Sequence, residues 1–577
     1  MSELVSVFNV TDSTIAWPVG VSPLVPDGVT DNSPNLNAMI AALLDPGGIT
    51  LGKGGVLEFP AAGTASYAFE ETINIGPVMG TNYPSNIILR GTGAQSRGTP
   101  LLQMLVSSED FFVIDHVMSM DPTTSDNIAG IVFQDMIISF AFSDGQPGGG
   151  RGITVAHGNV RLQRITLDEV PDAAVHFVRT LHCSIIDCDI RVKQVMGATG
   201  IRLGDTNAVH SAIETYITGT TIADYGTEGG GTGMAIYGAE HLRMVNCRIE
   251  GWANGIIIEP NTETDPTRKL FFGNVSCFSH EAGVQIIPTG AEDSAVVYVA
   301  EVWFAECEIG PAGGITTVYS GGGIVIGPTD GTTTIIDQIR FVDCYSSLWA
   351  GPGMDIQGGT NVEILGGYYS CNGNNGGGTG PEPYSKSGIA VSGDCKGLRI
   401  SNAACNNSVW DVYRPAGPAG LTQDYGIYVG GGSSSVRLHG CDLTGNNMSG
   451  LYVDGATLAV PPTNVFAKHC DFTGLSIPLK VTTPVSNLQV VDCPGYNETQ
   501  TVALTVTTPL SGHVFHASDY GYYGPATIYV AANSGVTAVK INGVTTGAKT
   551  GAFFLTAGQS GEIDYGLVAP GFVMIGQ

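Results

Sequence analysis

A short phrase recurs along this chain: an apolar strand, an acidic or amide residue, a Cys, and some residues later a Gly followed by apolar-any-apolar. It reads Met244-Val245-Asn246-Cys247 with Gly255-Ile256-Ile257-Ile258, then Phe304-Ala305-Glu306-Cys307 with Gly323-Ile324-Val325-Ile326, then Phe341-Val342-Asp343-Cys344 with Gly353-Met354-Asp355-Ile356. Repetition at this scale means stacked coils, not a globule. The Gly falls at Gly152, Gly200, Gly233, Gly255, Gly283, Gly323, Gly353, Gly388, Gly426 and Gly450, with spacings of 48, 33, 22, 28, 40, 30, 35, 38 and 24. Leucine-rich and ankyrin repeats hold a nearly constant length, whereas these units keep their strands and vary their loops. A parallel β-helix permits that, and each Gly is expected to mark a coil turn.

Successive coils lay their strands about 4.8 Å apart, so equivalent positions form ladders along the axis. Counting from the Cys as position zero, the interior column reads Cys188, Thr220, Cys247, Cys277, Cys307, Cys344, Gly367, Ala403, Cys441, Cys470 and Cys493. Positions three and five before it are apolar, as in Leu242/Met244, Val302/Phe304, Ile339/Phe341 and Leu488/Val490, the period of a strand with one buried face. The position just before Cys is Asp187, Asn246, Glu306, Asp343 or Asp492, and Asn and Asp tolerate the left-handed bend of a coil corner. With no CxxC pair and most Cys once per coil at the same place in the phrase, the 12 Cys read as buried thiols, with disulfides or a metal cluster as the alternative.

The 577 residues include 81 Gly and only 13% charged side chains, which favours turns and strands over exposed helices. The fold class is therefore all-β. A formal charge of -28, from 24 basic and 52 acidic side chains, repels a phosphate backbone and an anionic membrane, so no nucleic acid partner is expected. Met1 to Gly20 lacks the basic start and apolar run of a secretory signal, and no stretch of about 18 apolar residues offers membrane insertion. Synthesis and folding in a cytoplasm are expected.

Near the N-terminus stand Asp27-Gly28-Val29-Thr30-Asp31-Asn32, a helical run from Leu36 to Leu44, Gly54-Gly55-Val56-Leu57-Glu58-Phe59-Pro60 and Asn86-Ile87-Ile88-Leu89-Arg90-Gly91. This series resembles the opening of pectate-lyase-like right-handed parallel β-helices, notably phage tailspike proteins. The resemblance implies that the short helix caps the open end of the coil, shielding strand edges. After Asp492-Cys493-Pro494-Gly495-Tyr496-Asn497 the Cys coils stop, and Thr501–Thr507, Ala526–Ala531, Ala538–Ile541, Ala552–Leu555 and Gly561–Tyr565 read as antiparallel strands. The expected domains are a short segment 1–25, a right-handed parallel β-helix 26–496 and a C-terminal β-rich module 497–577. In tailspike-like proteins such modules cap the helix and help three chains associate, so the resemblance implies a homotrimer. It also implies a place in a virion tail, but the short N-terminal segment leaves no room for the large virion-binding domain many tailspikes carry, so the chain either docks through another phage tail protein or is not a virion part.

The pectin hydrolase motifs are missing, since His157-Gly158 and His439-Gly440 are isolated, and no HExxH, P-loop or EF-hand loop occurs. Gly148-Gly149-Gly150 and Gly376-Gly377-Gly378 lack the strand-to-helix context of phosphate binding and read as loops. No cofactor or metal is expected. Glycoside hydrolysis needs two carboxyl groups about 5 to 9 Å apart, which neighbouring coils supply. The densest acid and aromatic patch in the predicted columns holds Glu301, Glu306, Glu308, Asp343 and Glu363 as catalytic candidates. Trp303, Arg340, Tyr345, Trp252 and Arg248 are the expected substrate contacts, aromatic faces stacking on sugar rings and guanidinium groups on sugar carboxylates. Against this stand plain readings: Glu306 and Asp343 as corner residues, the other acids as a solvated face, outward aromatics as an oligomer seam, and Arg residues paired with acids. A second-choice cluster, Asp168, Glu169, Asp172 and His176 with Arg179, is expected in a loop after Leu167, with a structural His176 as the alternative.

The expectation is a tailspike-like depolymerase, a glycoside hydrolase acting on a bacterial surface polysaccharide such as capsule, exopolysaccharide or O-antigen. Alternatives are a non-catalytic glycan-binding adhesin, a polysaccharide lyase, and a glycan-transferring or cyclising enzyme of a free-living bacterium.

Overall fold

The computed structural model describes residues 6–45, 50, 54–61, 63–76, 86–92, 99–115, 130–141, 149–192, 197–205, 212–225, 230–260, 267–287, 297–312, 322–328, 334–373, 384–407, 423–455, 460–482, 485–496, 502–504, 508–517, 526–531, 535–556, 558–566, 569–570 and 572–576. Gly148 and Gly376–Gly378 lie outside them. The chain divides into two compact units, residues 1–308 and 309–577.

In the first unit, parallel strands stack coil on coil, as the phrase requires. One coil runs Arg243–Glu259 and pairs with Thr267–Ile286 along three successive stretches. The chain thus makes three strand faces per turn, and the fold is a right-handed parallel β-helix. The helix Ser33–Leu44 buries Leu36, Met39, Ile40 and Leu43 against the first coils, Pro34 standing in its first turn. Its approach is set by Asn32, whose side-chain amide donates to the carbonyls of Val25, Thr30 and Ala68. Strands Gly54–Pro60 and Asn86–Thr92 pair in parallel, matching the expected opening.

The column is interior and reads Cys188, Thr220, Cys247, Val275 and Cys307 in the first unit, all buried, as are the flanking Met244, Val302 and Phe304; Cys277, expected in this column, is corrected to the position two residues on, where it pairs with Ile249. All 12 cysteines are thiols. Burial pushes the Cys183 and Cys247 thiols up to about 11, so they pack as small apolar groups. Equivalent side chains stack coil on coil; Phe272 and Phe304 lie 4.5 Å apart and near parallel.

From His182 onward the coils turn through two left-handed residues five positions apart, whereas the earlier coils of Asp135 and Arg164 have only the second of them. The pairs are His182/Asp187, Glu214/Gly219, His241/Asn246, Lys269/Asn274 and Glu301/Glu306 in the first unit. In the second they are Gln338/Asp343, Asn361/Gly366, Gly397/Asn402, Ser435/Gly440, Asn464/His469 and Asn487/Asp492. The residue before Cys is the expected corner; the corner five residues earlier carries no consistent residue type. Amide side chains reinforce the corners, as where Asn274 donates to Asn246 Oδ1 at 2.8 Å.

The expectation that each phrase Gly marks a turn is corrected. Gly152, Gly200, Gly233 and Gly255 have ordinary φ, and a Cβ on them would strike Ala174 O, Ile222 Cγ2, Ile249 Cγ2 and Cys277 Sγ respectively. They are Gly because the interior is too crowded there for a side chain. The coil between Gly152 and Gly200 carries Ala174 instead, since Ile153 pairs with Val175 and Val175 with Ile201.

The second unit continues as parallel coils, with Arg340, Glu363, Arg399, Arg437, Phe466 and Gln489 in one outward ladder. Its last parallel strand is Ser486–Val491. Beyond it lie two four-stranded antiparallel sheets whose facing side chains, among them Ile528, Val539, Ile563 and Met574, form a separate core. Strands Val514–His516, Val544–Thr545 and Phe572–Gly576 complete them, although the sequence reading passed over all three.

Candidate functional site

The acids of the expected first-choice patch fall in both units, Glu301, Glu306 and Glu308 in the first and Asp343 and Glu363 in the second. Glu301 and Glu306 sit at left-handed corners with φ of 56° and 55°, and Asp343 at another with φ of 49°. Their positions answer to backbone geometry, the turn reading of Glu306 and Asp343, which extends to Glu301. Glu308 is exposed at the end of the first unit. Glu363 accepts from Arg340 Nη2 at 2.6 Å, its ladder neighbour, and Arg248 pairs with Glu250. Tyr345 stacks on Tyr368 at 5.3 Å. The expected sugar contact at Trp252 is corrected: the indole is wholly buried and donates to Ile222 O, because it fills the space that Gly200 and Gly233 leave open.

The second-choice cluster is redistributed. Only part of it lies in a loop: Glu169 and Asp172 are in the connection between two strands, whereas Asp168 ends Ile153–Asp168 and His176 is inside Ala173–Thr180. Asp168 stacks beside Arg191 on one strand face. Burial, then Glu169, raises its pKa. Glu169 is a left-handed corner. Asp172 and His176 belong to another face, where they meet residues the sequence reading did not single out.

That face carries the outward ladder Thr154, His176, Arg202, Ala235, Ile257 and Gln285. These are the "any" positions of the Gly-apolar-any-apolar phrase, which point away from the core by strand alternation. Asp110 accepts from Thr154 Oγ1 and from the Arg151 backbone N–H, both at 2.9 Å. Arg151 Nε donates to Asp172 at 3.0 Å, and Arg202 Nη2 reaches the other oxygen of that carboxylate at 3.4 Å. Arg151 Nη1 donates to His176 Nδ1 at 3.0 Å, so the imidazole proton is on Nε2, which donates to Gly204 O at 3.1 Å. Burial first, and Arg151 next, lower the His176 pKa to about 4. The ring is neutral and both its nitrogens are engaged.

Through Gly204 the network reaches a second group. Gly204 has φ of 74°, and a Cβ there would collide with Tyr237 O, so only Gly lets the chain turn at this point. The turn delivers Asp205. Tyr237 pairs with Glu259 on the next coil. Burial raises the Tyr237 pKa, Glu259 and Asp205 raise it further, and Arg202 opposes them. Asp205, Tyr237 and Glu259 are half-buried on the outer surface. Two coil rises separate the backbone of Gly204 from that of Glu259, roughly 10 Å. That backbone distance slightly exceeds the roughly 6.5 to 9.5 Å that leaves room for a water between two carboxyl groups, so the two side chains must lean toward each other to span it. No cluster fit to hold a metal occurs among the described residues.

No protein-family model and no curated protein sequence matches this chain. Solved structures do. A tailspike protein variant of E. coli bacteriophage HK620 in complex with a pentasaccharide aligns with a TM-score of 0.53 at 10% identity, covering 98% of this chain and 92% of that one. A second variant of the same tailspike aligns with a TM-score of 0.52 at 12% identity over the same shares. The A-module of an Azotobacter vinelandii mannuronan C-5 epimerase aligns with a TM-score of 0.41 at 13% identity, covering 77% of this chain and 97% of that one. What the chain shares with the two tailspike structures is the fold, a right-handed parallel β-helix.

Proposed function

We propose that the protein is a tailspike-like depolymerase that hydrolyses glycosidic bonds of a bacterial surface polysaccharide, with Asp205 and Glu259 as its carboxyl pair. The observation that carries this reading is two half-buried carboxylates flanking Tyr237 on one outer face, about two coils apart. One carboxyl group, protonated, gives its proton to the leaving glycosidic oxygen as the bond to the anomeric carbon breaks. The other, ionised, takes a proton from the water whose oxygen bonds to that carbon. His176 and Gly204 hold the turn that aims Asp205, and Arg151, Arg202 and Asp172 hold His176.

Hydrolysis is favoured over a lyase by the state of the two candidate bases. A lyase must abstract a carbon-bound proton, yet both His176 nitrogens are engaged and the Tyr237 pKa is raised, which keeps its phenol protonated. The tailspike neighbours, one in complex with a pentasaccharide, support a glycan substrate and a place in a phage tail. The C-terminal module supports association of copies: Tyr529, Phe554 and Val573 are exposed on the sheet surface opposite its core. A homotrimer fits that surface.

The test is product analysis after incubation with purified capsular, exopolysaccharide and O-antigen preparations. New reducing ends without ultraviolet-absorbing unsaturated products are expected, and Asp205→Asn and Glu259→Gln should each lower the rate by at least about a hundredfold. Binding without cleavage by the wild type sinks the enzyme reading in favour of an adhesin, and unsaturated products sink hydrolysis in favour of a lyase.

A further inference from the structure

The surface around Trp303 acquires a different meaning once its acids are corner residues. In the first unit the strand preceding each Cys has two outward positions. The first forms the ladder Tyr216, Arg243, Phe271 and Trp303 on four successive coils. Tyr216 is 49% and Trp303 43% exposed. Arg243 lies over the Phe271 ring at 5.6 Å, and Phe271 meets Trp303 edge-on at 6.0 Å, so the four side chains form one continuous ridge along the helix axis. The second outward position is small or short on every one of these coils: Thr218, Val245, Gly273 and Ala305. A Cβ on Gly273 would crowd the Phe271 ring at 2.8 Å, so the glycine lets that ring settle on the shelf.

We infer that this ridge is an accessory glycan-binding platform, separate from the Asp205 and Glu259 face, on which a segment of a linear polysaccharide lies parallel to the axis. The inference rests on the reading that the chain handles polysaccharide. Three features select this occupant. Flat faces, aromatic at Tyr216, Phe271 and Trp303 and guanidinium at Arg243, recur at the coil rise of about 4.8 Å, comparable to the length of one pyranose ring, so successive sugars meet successive side chains. Hydrogen-bonding corners line both edges of the shelf. The bonded amides of Asn246 and Asn274 stand on one side with exposed Glu306, and exposed His241 and Glu301 stand on the other, matching sugar hydroxyls. The strip is also only two side chains wide, far short of the 20 to 30 residues a side, roughly 800 Å², of a stable protein interface.

The experiment is affinity electrophoresis in gels containing dextran, laminarin, or purified capsular and O-antigen polysaccharides. At least one polymer should retard the wild type, and the double variant Tyr216→Ala, Trp303→Ala should bind it at least about tenfold more weakly, about 1.4 kcal/mol. Trp303→Phe, which keeps a flat apolar face, should bind within about threefold of wild type, a guard against misfolding. Retardation that does not depend on these residues, or none with any polymer, overturns the inference. So does a change of oligomeric mass on sedimentation of the double variant, which assigns the ridge to a second copy. The two readings fail separately: cleavage without ridge-dependent binding removes the platform alone, and ridge-dependent binding without cleavage removes the hydrolase alone.

Discussion

Acidification tests the core of the candidate site, because its imidazole is buried and held neutral. His176 is 1% exposed, with Nδ1 accepting from Arg151 and Nε2 donating to Gly204 O. Its pKa falls from 6.5 to about 4, through burial and then the Arg151 charge. The unfolded chain binds a proton near pH 6.5 that the folded chain refuses until about pH 4. The stability this group contributes is therefore complete above about pH 6.5 and lost as the pH falls toward 4. At pH 5 the difference is about 2 kcal/mol, and below pH 4 it approaches about 3 kcal/mol.

The assay is chemical denaturation of wild type and His176→Gln at pH 8 and pH 5. Glutamine keeps a donor and an acceptor but does not titrate, and carboxylates common to both proteins cancel in the comparison. The wild type should lose about 2 kcal/mol more than the variant between the two pH values. Equal losses would refute the buried neutral imidazole and, with it, the network that positions Asp205.

Two further outcomes test the packing. Trp252→Ala should cost about 3 to 5 kcal/mol in thermal or denaturant unfolding, since the indole is wholly buried and its loss leaves a cavity; weakened glycan binding at unchanged stability would restore it as a ligand contact. Thiol titration of the native protein at pH 8 should detect at most Cys371, the one partly exposed cysteine, and all 12 after denaturation, and fast native labelling of any other would contradict the inert interior ladder.

The interior was legible because it is repetitive. A Cys column with apolar residues three and five before it can be read from one chain, since every coil meets the same crowded space. The corner five residues before the Asn/Asp corner was not legible. His182, Glu214, Lys269, Glu301, Gln338 and Ser435 share a backbone conformation and no side-chain chemistry. Glu301 and Trp303 are both exposed, and Glu301 also stands at a left-handed corner, a backbone role that its side chain does not announce.

The candidate site was missed for the opposite reason. Its residues hold the variable position of the phrase or stand just beyond the phrase, where the repeat specifies no residue type. Thr154, Arg202 and Ala235 follow Gly152, Gly200 and Gly233 by two residues, and Tyr237 and Glu259 stand two further on than Ala235 and Ile257. His176 escaped because its coil has Ala174 in place of Gly, a substitution betrayed by the spacing of 48, the longest in the series. Halved at Ala174, that interval becomes two ordinary coils, and His176 falls into register with Arg202. In a fold whose inward positions are dictated by stacking, the outward variable position is the one where chemistry is free to differ. A β-helix read from sequence is therefore best searched at the residues its repeat leaves unspecified.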